Sequence, residues 1–210
     1  MARPLIISDC DEVLLHMIVP FRDWLGETQG VTFTMNGNDF SQSMHYAASG
    51  ESVPGPAMWS LLGRFFDTEM PRQSPIAGAV EAIHTLSAHA DIVILTNLED
   101  HRQAARTAQL AGHGLSLKVY TNQGPKGPAI RAILDEYRPS RAVFIDDLAQ
   151  HHGSASEVTP DITRLHLCGE PLLAPHIHCA FTLGHAHARI DDWASALPWL
   201  QAQLNGENDD

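Results

Sequence analysis

The 210-residue chain reads as an α/β protein, a parallel sheet with helices on both faces and a small, mostly helical insertion after its first strand. Three observations carry that reading. Short apolar runs alternate with helical patterns, which is how a parallel sheet is assembled. The first, second and fourth runs are nearly continuous in apolar character, as strands covered on both faces should be. The stretch from Phe21 to Ser74 has no strong strand, is broken by glycine and proline, and is too long for an ordinary loop.

The strands are expected at 5–8, 92–95, 117–120, 142–145 and 163–167. Helical patterns lie between them. In 77–89, Val80, Ile83 and Leu86 recur at three-residue spacing, with Ala79 and Ala82 alongside. The segment 100–111 is alanine-rich, and 126–137 carries Pro128 in its first turn, where a missing N–H costs little. In 190–204, Trp193, Leu197 and Leu200 share one side. Short helices are expected at 21–26 and 57–66 within the insertion. These elements divide the chain into a core of 1–19 and 75–204, a small helical cap of 20–74, and a frayed acidic tail of 205–210. The cap is expected to stand over the C-terminal end of the first strand.

Composition bounds the function. A formal charge of −12 argues against a general nucleic-acid binder, which needs a basic surface. It does not exclude small anionic substrates, because a local cation overrides the net field. No apolar run is long enough to cross a bilayer, and the N-terminal segment reaches acidic residues too early for a secretory signal. Cys10, Cys168 and Cys179 show no paired spacing, so no disulfide framework is expected and the plain reading is a cytoplasmic protein. Oligomeric state is not legible.

In a parallel sheet, ligands bind beyond the carboxyl ends of the strands near a topological switch point. The first strand is followed there by Asp9-Cys10-Asp11, the second by Thr96-Asn97, and the fourth by Asp146-Asp147. The third leads through a Gly-Pro turn to Lys126, which opens a helix. Carboxylates, a hydroxyl and an ammonium therefore face one crevice. Clustered acids repel one another and are costly to bury unpaired, so either they are solvated at the strand ends or a positive charge sits among them.

This ordered set resembles the motifs of the haloacid dehalogenase-like hydrolase superfamily. Asp9-Cys10-Asp11 matches its Asp-x-Asp, Thr96 in "IVILTN" its second motif, Lys126 in "GPKGPAI" its third, and Asp146-Asp147 in "VFIDDL" its fourth. The resemblance covers the core, about two-thirds of the chain by the motif positions, and the insertion sits where that family carries a C1-type cap. It implies a Rossmann-like core and a Mg²⁺-dependent phosphatase acting on a small phosphorylated metabolite.

Under the resemblance, Asp9 is the nucleophile that forms an aspartyl phosphate, and Asp11 is the general acid and then base. Thr96, with Asn97 beside it, binds a phosphoryl oxygen, and Lys126 pairs with the phosphoryl charge. Asp9, the Asp11 carbonyl and Asp147 hold Mg²⁺, with Asp146 in or near the shell. Asp11 marks ester chemistry rather than dehalogenation. One departure stands out: small residues are usual after the second Asp, whereas Glu12-Val13 follows here. Glu12 reads as solvated before it reads as a cap salt bridge or a substrate contact.

The chain holds 13 histidines, among them His151-His152 and the pairs His176/His178 and His185/His187. They read as surface and loop residues before zinc ligands, since no Cys or carboxylate completes a ligand spacing. His151 and His152 lie nearest the expected site. His16, Arg22, His45, Arg64 and Arg72 are the substrate-contact candidates of the cap. The alternatives are a phosphomutase or phosphotransferase with the same intermediate, a non-catalytic binder of metal or phospho-ligand, and a histidine-based zinc module.

Overall fold

The computed structural model describes residues 2–35 and 42–206. The elements run β1 Leu5–Ser8, α1 Ile18–Trp24, β2 Val31–Phe33, β3 Met44–Tyr46, α2 Gly55–Thr68, α3 Ala79–Ser87, β4 Asp91–Thr96 and α4 Gln103–Gly112. They continue β5 Lys118–Thr121, α5 Gly127–Tyr137, β6 Ala142–Asp146, α6 Ala149–Val158, β7 Thr163–His166, β8 Ala188–Arg189 and α7 Trp193–Asn205. Six strands form one parallel sheet in the order β5-β4-β1-β6-β7-β8.

The alternation of each strand feeds two cores. Ile6, Ile94, Val143 and Ile145 pack with Ile83, Leu86, Trp193 and Leu200 of α3 and α7. Leu5, Ile7, Val93 and Phe144 face the other way, onto Ile130 and Ile133 of α5 and Ala155 of α6. β1 thus lies between β4 and β6 and is buried throughout, which explains its unbroken apolar run. The chain leaves β1 for β4 and β5 on one side, then returns to β6 on the other. The carboxyl end of β1 is therefore the switch point.

Two details place the chemistry there. Asp9 N–H donates to the Ile145 carbonyl at 2.8 Å, so Asp9 continues the register beside Asp146. Lys126 is the N-cap of α5, whose first residue, Gly127, touches α6 so closely that an added Cβ would overlap the Ser154 carbonyl. Its N–H donates to Ser154 Oγ at 3.0 Å. Only glycine permits that approach, which fixes Lys126 at the sheet edge.

The five core strands fall within a residue or two of their expected places. β8 is absent from the sequence reading because two residues give no period to detect. The insertion holds α1, a π-helical turn Leu25–Gln29, α2 and the 3₁₀ turn Met70–Arg72, but also the antiparallel pair β2-β3. Those strands have three residues each, with Val31 and Phe33 buried and Thr32 exposed between them. Phe21, Trp24, Phe33 and Phe65 pack as an aromatic group with ring centroids 5.3–6.4 Å apart. Leu98, Cys168 and Leu173 join the same cluster from outside the insertion. Asn205, the first residue of the expected acidic tail, ends α7, and 207–210 lie outside the described residues. Among the described residues no helix is long and apolar enough to cross a membrane.

Candidate active site

Asp9, Asp146 and Asp147 converge beyond β1 and β6, with carboxylate oxygens within 4.8 Å of one another. All three are buried. Lys126, fully buried, places Nζ 2.9 Å from Asp9 Oδ1 and 2.7 Å from Asp146 Oδ2. Lys126 thus bridges Asp9 and Asp146, one ammonium between two buried carboxylates. Asp146 is engaged at both oxygens: Oδ1 accepts the Leu148 N–H at 2.8 Å.

The electrostatics follow. Burial pushes the Asp9 carboxyl up to about 7; Lys126 opposes this, and Asp146 and Asp11 add to it. Burial, then the charges of Asp146 and Asp9, hold Asp147 well above the usual carboxylate range. Burial also acts on Asp146, but Lys126, His151 and His152 outweigh it and hold that group low. Three carboxylates and one ammonium leave two negative charges uncompensated when all are ionised. A divalent cation with oxygen ligands fits that deficit, and the converging carboxylates of Asp9, Asp146 and Asp147 are the donor set it would use.

Thr96 ends β4 and Asn97 follows, both lining the same cleft as Asp9, Asp11 and Asp147. Asn97 is exposed; its Nδ2 donates to the Gly124 carbonyl at 3.0 Å and its Oδ1 accepts from Asn122 at 2.8 Å. Asp11 stands apart from the other acids. Arg106 Nη2 donates to its two oxygens at 2.9 and 3.1 Å, and Gln73 Nε2 donates to Oδ1 at 2.7 Å. Arg106 is wholly buried, also reaches Cys10 Sγ at 3.1 Å, and lies over the Phe66 ring. Neither Arg106 nor Gln73 stands out in the sequence. The available signal for Arg106 is its spacing of four from Leu110 on α4, which puts a cation on that helix's buried face.

Glu12 is not solvated. It is buried with φ +60°, and its Oε1 accepts the N–H groups of Met17 (2.9 Å) and Ile18, at the start of α1. The turn after Asp11 takes a left-handed backbone, which suits a small residue best. Here the carboxylate supports the strained backbone by tying the turn to α1. Burial raises the Glu12 carboxyl to about 8. Its oxygens lie within 4.8 Å of ligand atoms of His16 and Glu170, which pair at 2.8 Å.

The histidines near the site are also less exposed than expected. His151 and His152 of α6 and His166 of β7 are buried. His152 Nε2 donates to the Asp146 carbonyl at 3.0 Å and its ring stacks on His166. His151, His176, His178 and His185 line the cleft, whereas His187 Nδ1 accepts the Arg164 N–H. Among the described residues, none of these joins a group able to hold a metal. The polar cap candidates turn elsewhere. Arg22 pairs with Asp23, Arg72 with Glu27 and Glu69, Arg64 with Gln29 and His16 with Glu170; none of them, nor His45, lines the cleft.

No protein-family model matches the chain, and no curated protein matches it in sequence. Solved structures do match. A conserved haloacid dehalogenase-like protein of unknown function from Agrobacterium tumefaciens superposes with TM-score 0.67 at 16% identity, covering 94% of this chain and 97% of that one. A haloacid dehalogenase-like family hydrolase from Streptococcus pneumoniae gives TM-score 0.66 at 12% identity over 95% and 98%. A hydrolase of that family from Deinococcus radiodurans, solved with bound phosphate and sodium, gives 0.66 at 19% identity over 96% of each chain. The chain has the haloacid dehalogenase-like fold. Its four expected motifs meet at the carboxyl edge of that fold's sheet.

Proposed function

We propose that the protein is a cytoplasmic, Mg²⁺-dependent phosphate monoester hydrolase acting on a small phosphorylated compound. The observation that carries this is the convergence of Asp9, Asp146 and Asp147 on Lys126 at the switch point. Asp9 and Asp147, with the Asp11 carbonyl, would hold the metal. Asp146, already bonded to Lys126 and the Leu148 N–H, supports that arrangement from beside it. The metal would supply charge neutralisation, allowing a phosphate dianion to approach buried carboxylates.

An Asp9 oxygen bonds to phosphorus as the ester P–O bond breaks, and Asp11, entering this step in its protonated form, gives its proton to the leaving oxygen. The alcohol departs. Water then attacks phosphorus, its proton passes to Asp11, and the P–O bond to Asp9 breaks, releasing inorganic phosphate. Thr96 donates to a phosphoryl oxygen, and Lys126 offsets its charge. Arg106 and Gln73 act as positioning residues that fix the orientation of Asp11. A cytoplasmic location agrees with three free cysteines, two of them buried.

The test is phosphate release from a panel of esters with Mg²⁺ and with EDTA, for wild type and Asp9→Asn. Metal-dependent release that disappears in folded Asp9→Asn is the expected result. No release from any ester by the folded wild type, or full activity in Asp9→Asn, would overturn the reading.

A further inference from the structure

The acids form only the floor of the cleft. It extends about 800 Å³ upward, near the top of the ~300–1,000 Å³ range of small-molecule sites. The wall contributed by the insertion is Phe21, Phe33, Met44, Met58, Trp59 and Phe66, all hydrocarbon, thioether or aromatic. Leu173, Ile177 and Leu183 face the same space from the segment after β7. Among the described residues no lysine or arginine lines the cleft above Lys126 at its floor, and 36–41 contain none in sequence. The polar groups above the floor are Asn97, Gln150, His151, His176, His178 and His185, which carry no fixed charge.

This wall is mismatched to most small phosphometabolites. A phosphorylated carboxylic acid would need a fixed cation for its second anion, and a sugar seated against the insertion would lay hydroxyls on an apolar wall. The cap arginines that could serve are committed to partners outside the cleft. Trp59 lines the cleft yet is 66% exposed, and Leu183 is 53% exposed. Apolar groups left open at the mouth of a cleft signal a ligand that covers them.

Resting on the hydrolase reading for the floor, we propose that the substrate is a phosphate monoester of a predominantly hydrocarbon alcohol, alkyl or aryl, whose apolar body fills the space between the insertion and the segment after β7. The phosphoryl group sits over Asp9, and the alcohol carbon chain runs along Met58 and Phe66 toward Trp59. Hydrolysis releases the hydrophobic alcohol and inorganic phosphate. A hydroxyl-phosphorylating reaction on a hydrophobic alcohol must therefore supply the substrate.

The test is kcat/KM for the n-alkyl phosphates from ethyl to octyl, phenyl phosphate, a hexose phosphate and a two-carbon carboxylate phosphate. In parallel, calorimetry measures binding of non-hydrolysable n-alkylphosphonates. Each methylene buried in the cleft should raise kcat/KM by about fourfold, so octyl phosphate should exceed butyl phosphate by about two orders of magnitude. Met58→Gln should lower kcat/KM for octyl phosphate about tenfold more than for ethyl phosphate.

Hydrolysis that is flat with chain length, or best for the sugar or carboxylate ester, overturns the hydrocarbon class and leaves the phosphatase reading standing. No hydrolysis but phosphonate affinity that climbs with chain length overturns the hydrolase reading and supports the hydrocarbon site. Neither hydrolysis nor chain-length-dependent binding, in folded protein, overturns both.

Discussion

Arg106 gives the sharpest quantitative test of the site's architecture. It is wholly buried, makes two hydrogen bonds to Asp11 and one to Cys10, and leaves Nε without a partner. Arg106→Met keeps a long, flexible side chain against Phe66 but leaves Asp11 with only Gln73. Charge-assisted hydrogen bonds are worth roughly 1.5–3 kcal/mol each, so the gross loss is about 3–6 kcal/mol. Two terms reduce it. The guanidinium no longer has to be desolvated, and Asp11, with 16% of its side chain exposed, recovers some hydration. A net cost of about 2–4 kcal/mol follows, which for a chain of this size lowers Tm by roughly 6–12 °C. Thermal and urea unfolding at pH 7 measure it, and a double-mutant cycle with Asp11→Asn isolates the coupling. A coupling energy below about 0.5 kcal/mol would refute the claim that the pair organises the turn after β1.

Three further outcomes are expected. Glu12→Ala should destabilise by about 1–3 kcal/mol, because two N–H groups at the start of α1 lose their acceptor; Glu12→Gly should cost about 1 kcal/mol less, because φ +60° suits glycine. Denaturant titrations rank the two, and a Gly variant less stable than the Ala variant would contradict the strain argument. Gly127→Ala should cost about 1–3 kcal/mol through overlap with Ser154, and it should lower phosphate release by displacing Lys126; an unchanged Tm would show that α5 and α6 separate freely. Burial, aided by His152 and Arg189, lowers the His166 pKa from 6.5 to about 3. The unfolded chain therefore takes up a proton that the folded chain refuses, and stability is lost as pH falls from about 6.5 toward 3, by up to ~1.4 kcal/mol per pH unit. His166→Asn, which keeps an acceptor for the Ala180 N–H, should flatten that slope in unfolding curves taken between pH 7 and 4.

The parts of the fold that repeat were legible in the sequence. Leu5 to Ser8 and 142–145 are strands buried on both faces, and their apolar runs say so without help from the rest of the chain. Asp9, Asp146, Asp147 and Lys126 were legible because each sits at an element boundary, where a charged residue is conspicuous against the run beside it. Arg106, Gln73 and Glu12 were not. Arg106 lies inside an alanine-rich helix, and its burial becomes meaningful only once Asp11 is known to face it. Glu12 looks like any acid in an acidic turn until its backbone is seen to be left-handed. β2 and β3 are too short for alternation to register, and the apolar wall is assembled from α1, β2, β3 and α2, whose residues are far apart in sequence.

These residues also show how five acids are kept within one small region. Asp11 is paired with Arg106, and Glu12 is raised by burial to about 8 and bonded to backbone N–H groups. That leaves Asp9, Asp146 and Asp147 against a single Lys126. The chain therefore spends a private partner on each acid of the turn and withholds one from the group at the strand ends. A fold needing those acids only as solvated strand termini would have no reason to bury Lys126 completely among them. With all three ionised, those carboxylates exceed Lys126 by two negative charges, and on the reading proposed above a divalent cation would offset that excess.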